Sequence, residues 1–370
     1  MRSSWQLGLV LASIVLGGVG PAVLNYVMDP YQVFRPKPDG LSRLRSNTRF
    51  QNAGLIRSYL ADPTSGFDTV LIGSSQGQCF AQSQIQDVLG TGRVLKLNMP
   101  GVRAKVIRQV MQRVLQEPTV RTVIWELNNW YGDPNVDLMN QGLAFPEYLY
   151  GSVWGFGPYL FNVDLVGESM VALRSDLGWG EDDLAAAGDD YLCWYTDADW
   201  TARQANLRGN RDSYIKLAAQ RCADRPATLA RLRGDLGADA FPSVGLVIEI
   251  VEAHPHVEFI FYRPPQPTLK YATFDNAELA GKMFWLREAV MGLSPLANAR
   301  VFAFDTVEEV VLDLDRFMDM WHYHPEVNGM MVHWMASDAH ALTASNIDDF
   351  ERQWYTLIRE TGERALAEVQ

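Results

Sequence analysis

Two short motifs at opposite ends of the chain carry the residue types of a serine acyl-transfer site. The apolar run Phe67 to Ile72 is followed by Gly73-Ser74-Ser75, and Asp319-Met320-Trp321-His322-Tyr323 lies far downstream. A serine hydroxyl is a weak nucleophile at neutral pH unless a histidine accepts its proton and an acid orients that histidine. The two motifs together predict a Ser, Asp and His triad in which Asp319 and His322 are three residues apart.

The residue types alone leave two assignments open. Either Ser74 or Ser75 has the chemistry of the nucleophile, and a serine that follows a strand also favours the N-cap of a helix. Two neighbouring histidines are alternatives to His322 as the base, namely His324 and His333.

Composition limits the classes of function. The chain has 370 residues, enough for about two domains, with 48% hydrophobic and 21% charged residues. The net charge of -12 and the absence of a basic run argue against a nucleic-acid partner. No CxxC or His/Cys cluster indicates a metal site, and no cofactor is expected. Of the three cysteines, Cys193 and Cys222 either pair in an oxidising compartment or remain thiols, and packing is the expected role of Cys79.

The N-terminal segment is apolar over a length that suits a membrane anchor. No charged residue occurs from Trp5 to Met28, and a spanning helix needs about 20 apolar residues. A cleaved signal peptide and a buried core helix are the alternatives, but the stretch is longer than a signal h-region and no clean cleavage site follows it. We therefore expect an inner-membrane, single-pass protein with a cytoplasmic N-terminus and an extracytoplasmic (periplasmic) body.

The rest of the chain alternates between strand and helix patterns. Five short apolar strands are predicted, at Thr69–Ile72, Arg93–Leu97, Val120–Leu127, Val257–Tyr262 and Arg300–Phe304. They predict an α/β fold with a flavodoxin-like parallel sheet and helices on both faces. The expected organisation is an anchor over 1–30, a connector over 31–66 and an α/β domain over 67–370, in which 130–240 is a mostly helical insertion or cap.

Every candidate polar group follows the carboxyl end of a predicted strand. Gly73-Ser74-Ser75 follows the first, Asn98 and Gly101 the second, Asn128-Asn129 the third, and Asp319 with His322 the fifth. In open α/β sheets this edge builds the binding site. Core packing alone gives no reason for such a coincidence, so we expect these residues to meet at one site.

The pattern resembles the SGNH hydrolase superfamily, in particular its membrane-anchored extracytoplasmic branch, which includes the D-alanyl transfer protein of teichoic acid synthesis and alginate-type polysaccharide O-acetyltransferases. The likeness lies in Phe67 to Ser75, Leu97 to Gly101 and Asp319 to Gly329, and does not cover the insertion. It implies Ser75 as nucleophile, His322 as base and Asp319 as its orienter.

The resemblance also implies an oxyanion hole from the Ser75 N–H, the Gly101 N–H and an asparagine side chain. The superfamily's first block is usually Gly-Asp-Ser, whereas position 74 here is Ser, and its Asn block is often Gly-x-Asn-Asp. The third oxyanion donor therefore stays open between three asparagines, namely Asn98, Asn128 and Asn129.

The function that the resemblance implies is transfer of an acetyl or similar small acyl group onto a cell-surface polysaccharide, with a membrane protein as acyl-donating partner. A carbohydrate esterase that uses the same triad is one alternative. A non-catalytic glycan-binding or assembly component that retains the fold is the other.

Overall fold

A computed structural model describes residues 17, 19–31, 33–35, 48–60, 62–102, 104–127, 145–151, 153–177, 193, 197–233 and 242–370. Contacts divide the chain into two compact units. The first unit is drawn from Met1–Phe67, Gln109–Thr119 and Gln141–Tyr191. The second is drawn from Asp68–Arg108, Val120–Asn140 and Leu192–Gln370.

The second unit is built on a six-stranded sheet. Its strands are β1 (Phe67–Ile72), β2 (Arg93–Lys96), β3 (Thr122–Glu126), β4 (Glu258–Arg263), β5 (Ala299–Ala303) and β6 (Ala341–Leu342). They lie in the order β2-β1-β3-β4-β5-β6. The pairs β1/β3, β3/β4 and β4/β5 are parallel, with Val70 opposite Val123 and Val123 opposite Phe259. Strand β6 pairs with β5 in the antiparallel direction.

The sheet confirms the α/β fold, and the order of its first five strands is the flavodoxin-like order. Its central strands are buried on nearly every residue, as expected for parallel strands covered by other elements. The expectation of a parallel sheet of about five strands is confirmed except at one edge, where the short strand β6 adds an antiparallel sixth strand. A two-residue strand is too short to show any periodicity in the sequence.

Most of the remaining regular structure in the described residues is helical. In chain order the helices of the whole chain are α1 (Gly20–Met28), α2 (Thr48–Leu55), α3 (Gln82–Leu89), α4 (Ala104–Val114), α5 (Glu147–Tyr150), α6 (Gly157–Leu160), α7 (Asp164–Asp176), α8 (Asp197–Gly209), α9 (Arg211–Ala223), α10 (Leu229–Arg233), α11 (Pro242–Ala253), α12 (Thr268–Thr273), α13 (Asn276–Leu293), α14 (Glu308–Val311), α15 (Pro325–Ala336) and α16 (Ile347–Val369). Where the predicted insertion is described, it is helical, from α5 to α10.

The first unit contains α1, α2 and α5 to α7. A π-helical turn, Ile56–Leu60, continues α2, and a 3₁₀ turn, Val153–Phe156, precedes α6. Most of the predicted anchor lies outside the described residues. Among the residues that are described, no helix combines the length and apolar character needed to cross a bilayer.

Candidate active site

The loop after β1 gives its two serines different partners. Ser74 is extended and caps a 3₁₀ turn, Ser75–Gly77, by accepting a hydrogen bond at its Oγ from the Gln76 N–H at 3.2 Å. The Ser74 N–H and Oγ–H both donate to the Glu126 carboxylate, at 2.8 and 2.6 Å. Ser74 is therefore occupied in holding the turn. The geometry leaves Ser75 as the serine presented to the rest of the site.

Glu126, the last residue of β3, is completely buried. A buried carboxylate needs hydrogen-bonding partners, and the Ser74 N–H and Oγ–H are two of those of Glu126. The two loops approach so closely that a Cβ on Gly73 would lie 2.5 Å from Glu126 Cβ, so position 73 accepts only glycine.

Ser75, His322 and Asp319 lie within hydrogen-bonding distance of one another in series. Ser75 Oγ is 2.9 Å from His322 Nε2, and His322 Nδ1 is 2.8 Å from Asp319 Oδ2. In this arrangement an imidazole whose Nδ1 proton is held by the carboxylate has Nε2 available to accept the serine proton. These distances are those expected of a nucleophile, its base and an orienting acid.

A tight loop around Asp319 fixes the acid. Asp319 Oδ1 accepts hydrogen bonds from the backbone N–H groups of Trp321 and His322, at 2.7 and 2.8 Å. The Met318 N–H donates to the His322 carbonyl at 2.9 Å and closes the loop. Burial raises the pKa of Asp319, but the hydrogen bond and charge of His322 and the two backbone donors outweigh it and hold that pKa below its ordinary value. Asp319 is therefore ionised at a pH at which His322 can accept a proton.

Two further hydrogen bonds join this loop to the serine turn without using the triad. Gln76 Nε2 donates to the Trp321 carbonyl at 2.5 Å, and Tyr323 Oη donates to the Gln76 carbonyl at 2.8 Å. Both are at least partly buried. The distance between Ser75 and His322 is therefore set by the surrounding structure, which is the condition for a preorganised site.

The predicted oxyanion donors other than Ser75 are placed differently from one another. Asn98 is completely buried, and its Nδ2 lies 3.3 Å from the Ser74 carbonyl, to which it donates. Gly101 is exposed and left-handed, with φ +63°, two residues beyond a Met99 N–H that donates to the Gly73 carbonyl at 2.8 Å. Asn128 and Asn129 lie outside the described residues. The N–H groups of Ser75 and Gly101 have no acceptor among the described residues and stay the candidate donors.

Two alternatives to His322 have other surroundings. His324 caps α15 by accepting a hydrogen bond from the Glu326 N–H, and its ring lies 4.9 Å from that of Trp200. His333 is in the last turn of α15. Among the described residues no cluster of three or more His, Cys, Asp or Glu side chains could hold a metal ion.

The sequence did not single out two cations beside the loop. Arg203, on α8, has its Nη1 3.6 Å from Asp319 Oδ2. Lys270, on α12, is buried, lies over the Trp321 ring and donates to Gln266 Oε1 at 2.7 Å. Burial, together with nearby cations, holds the pKa of Lys270 well below its ordinary value. Its position after β4, at the same edge of the sheet as the triad, was the available signal.

A disulfide lies close to the serine turn along the chain. Cys79, four residues after Ser75, is bonded to Cys193, 114 residues downstream. Cys222 is a free thiol. The pairing of Cys193 with Cys222 that the sequence left open is therefore wrong. Cys79 is buried, as its expected packing role requires, and it is also a disulfide partner.

Comparison of the chain with known proteins adds no relative. No protein-family model and no curated protein matches it in sequence.

Proposed function

We propose that the protein is a serine acyltransferase that works through an acyl-serine intermediate. The observation that carries this proposal is the series of close contacts from Ser75 through His322 to Asp319. Two hydrogen bonds independent of the triad hold these groups together, which favours a catalytic role over a chance meeting of polar side chains.

The residues can perform both halves of an acyl transfer. Ser75 Oγ attacks the acyl carbonyl carbon while His322 Nε2 takes the hydroxyl proton. The bond to the leaving alcohol then breaks, and His322 returns that proton to the alcohol oxygen. In the second half an acceptor hydroxyl gives its proton to His322 and attacks the acyl-serine ester. Collapse of that intermediate releases Ser75, which regains its proton.

The acceptor and the setting follow from the resemblance to the SGNH hydrolases. We propose a small acyl group, such as acetyl, as the group transferred, a cell-surface polysaccharide as its acceptor and a membrane protein as its donor. The chain would be anchored by its N-terminal segment, with its α/β domain, covered by helices on both faces, outside the cytoplasm. The Cys79–Cys193 disulfide supports an oxidising compartment, and the uncharged stretch from Trp5 to Met28 supports the anchor.

The test is hydrolysis of p-nitrophenyl acetate by the full-length chain, compared with Ser75→Ala and His322→Ala. Both variants should lose the enzymatic rate, and a fluorophosphonate should label wild-type protein at Ser75. Ser337→Ala is the matched control, since Ser337 is exposed and bonds only within its own helix. Equal rates in all four proteins, with no adduct at Ser75, would reject the proposal.

Transfer and hydrolysis are separated by adding an acceptor. If a glycan hydroxyl is the acceptor, an oligosaccharide should collect the acyl group and reduce the yield of free acetate. If acetate is formed in the same yield with and without the oligosaccharide, the protein is an esterase on the same residues.

A further inference from the structure

Helix α1 of the first unit has one polar and one apolar face. Asn25 is completely buried: its Nδ2 donates to the carbonyls of Leu160 and Asn162, at 2.9 and 3.0 Å, and its Oδ1 accepts from Ser169 Oγ at 2.8 Å. On the other side of the helix, four apolar side chains are about half exposed, namely Val19 at 49%, Val23 at 54%, Tyr26 at 47% and Val27 at 53%. Asn25 thus holds α1 against α6 and α7 and turns its apolar side outward.

The segment that receives Asn25 is itself apolar and exposed. Phe161 is 60% exposed and Val163 is 72% exposed, and they flank Asn162. Both lie in the turn between α6 and α7, next to the Asn162 carbonyl that accepts the hydrogen bond from Asn25, so their exposed side chains lie beside α1.

We call these six residues the apolar surface, namely Val19, Val23, Tyr26, Val27, Phe161 and Val163. Single exposed apolar residues are common on proteins, but a set of this size on packed helices indicates an interaction site.

The chain beside the apolar surface indicates what covers it. Helix α1 is the last part of the stretch from Trp5 to Met28 that carries no charge. At its end the Arg35 guanidinium lies 4.7 Å from the centre of the Tyr26 ring, and its Nη1 donates to the Val27 carbonyl. A tyrosine and a cation that close an apolar stretch are typical of the boundary between acyl chains and headgroups.

We propose that the apolar surface docks on a phospholipid bilayer, so that the turn between α6 and α7 lies at the headgroup and acyl-chain boundary beside α1. The membrane would then contact the first unit at two separate parts of the chain. The exposed side chains of Phe161 and Val163 would enter the acyl region, where burial of apolar area favours membrane binding. The proposal is independent of the acyl-serine chemistry.

The test places a benzophenone side chain at position 161 or 163 of the full-length chain in vesicles of phosphatidylcholine and phosphatidylglycerol. Irradiation should give a phospholipid adduct at each position, detected by mass spectrometry of the peptide. Met291 is the matched control position, because it is 43% exposed but lies on α13 in the second unit. It should give at least tenfold less adduct.

Three results would overturn the proposal. One is the absence of lipid adducts at both positions, and another is an equal yield at position 291. The third is crosslinking of position 161 or 163 to a second copy of the chain, which would make the apolar surface a self-association interface. Both substituted side chains are exposed, so neither replacement disturbs the buried contacts of Asn25.

Discussion

Replacement of Asp319 by asparagine tests the arrangement of the triad most directly. In the native loop Oδ1 accepts from two backbone N–H groups, and Oδ2 accepts from His322 Nδ1. In Asp319→Asn the single amide oxygen is retained by the two backbone donors, so the NH₂ group faces His322. His322 Nδ1 must then become the acceptor, its proton moves to Nε2, and Nε2 can no longer take the proton of Ser75.

The expected loss in kcat is large. A wrong tautomer in a serine triad costs roughly ten-thousand-fold in kcat, which is about 5 kcal/mol of transition-state stabilisation. The unfolding free energy should fall by only about 1.5–3 kcal/mol, because the backbone hydrogen bonds remain and one charge-assisted bond is lost. The assay is steady-state hydrolysis of p-nitrophenyl acetate from pH 5 to pH 9, with denaturant unfolding measured on the same samples.

The pH dependence gives this prediction a second readout. A tautomer defect is not repaired by removing protons, so a higher pH should not restore the rate of Asp319→Asn. The lowered pKa of Asp319 means that its ionised form stabilises the fold above the ordinary Asp value, and that this contribution is lost as the pH falls through the lowered pKa. The variant should lack this part of the acid destabilisation.

Asp315→Asn is the matched control. Asp315 lies four residues upstream, is 70% exposed and pairs with Arg208 at 2.8 Å. Its replacement should change the rate less than twofold, because exposed ion pairs contribute little. If Asp319→Asn keeps more than a tenth of the wild-type rate, the carboxylate does not set the tautomer of His322, and the reasoning is wrong.

Other changes test the elements around the triad. Glu126→Gln leaves one of the two hydrogen bonds donated by Ser74 without an acceptor. We therefore expect kcat to fall about 10- to 100-fold and the unfolding free energy to fall by about 1–3 kcal/mol. Unchanged kinetics would show that this carboxylate does not position the loop. A thiol assay on the denatured, unreduced chain should detect one thiol, that of Cys222, and should detect three after reduction. Three thiols without reduction would refute the pairing of Cys193 with Cys79. Cys193→Ser should lower the unfolding free energy by about 2–5 kcal/mol. Burial, with a nearby arginine, lowers the pKa of Lys282 to about 8. The unfolded chain holds this proton more tightly, so unfolding free energy should rise with pH from about 8 through the ordinary lysine value, and Lys282→Met should flatten that rise.

The convergence of the site residues could be predicted, because it depends only on topology. Parallel strands end at the same edge, so residues after β1 and β5 meet there whatever fills the chain between them. The 247 residues that separate Ser75 from His322 are therefore no obstacle to the inference. Strand β6 could not be predicted in this way, since two residues show no periodicity.

The sequence could not predict which distant side chains pair with each other. Cys79 and Cys193 have Cα atoms 4.4 Å apart, a closeness produced by tertiary contacts and not readable from a separation of 114 residues. The contact of Ser74 with Glu126, across 52 residues of chain, is a second example. A buried carboxylate accepts from backbone N–H and hydroxyl donors, and because every serine carries both, the sequence does not reveal which one will pair with it.

The contact between Ser74 and Glu126 also explains why serine suits position 74 better than aspartate does. The Ser74 hydroxyl donates to Glu126 at 2.6 Å in a position where the carboxylate is completely buried. An aspartate at position 74 would set a second carboxylate against the completely buried first one, and two neighbouring like charges destabilise each other. Serine at 74 and glutamate at 126 are therefore a matched donor and acceptor. The acid supplied by β3 therefore favours a hydrogen-bond donor at position 74, in the loop that leads into the turn of Ser75.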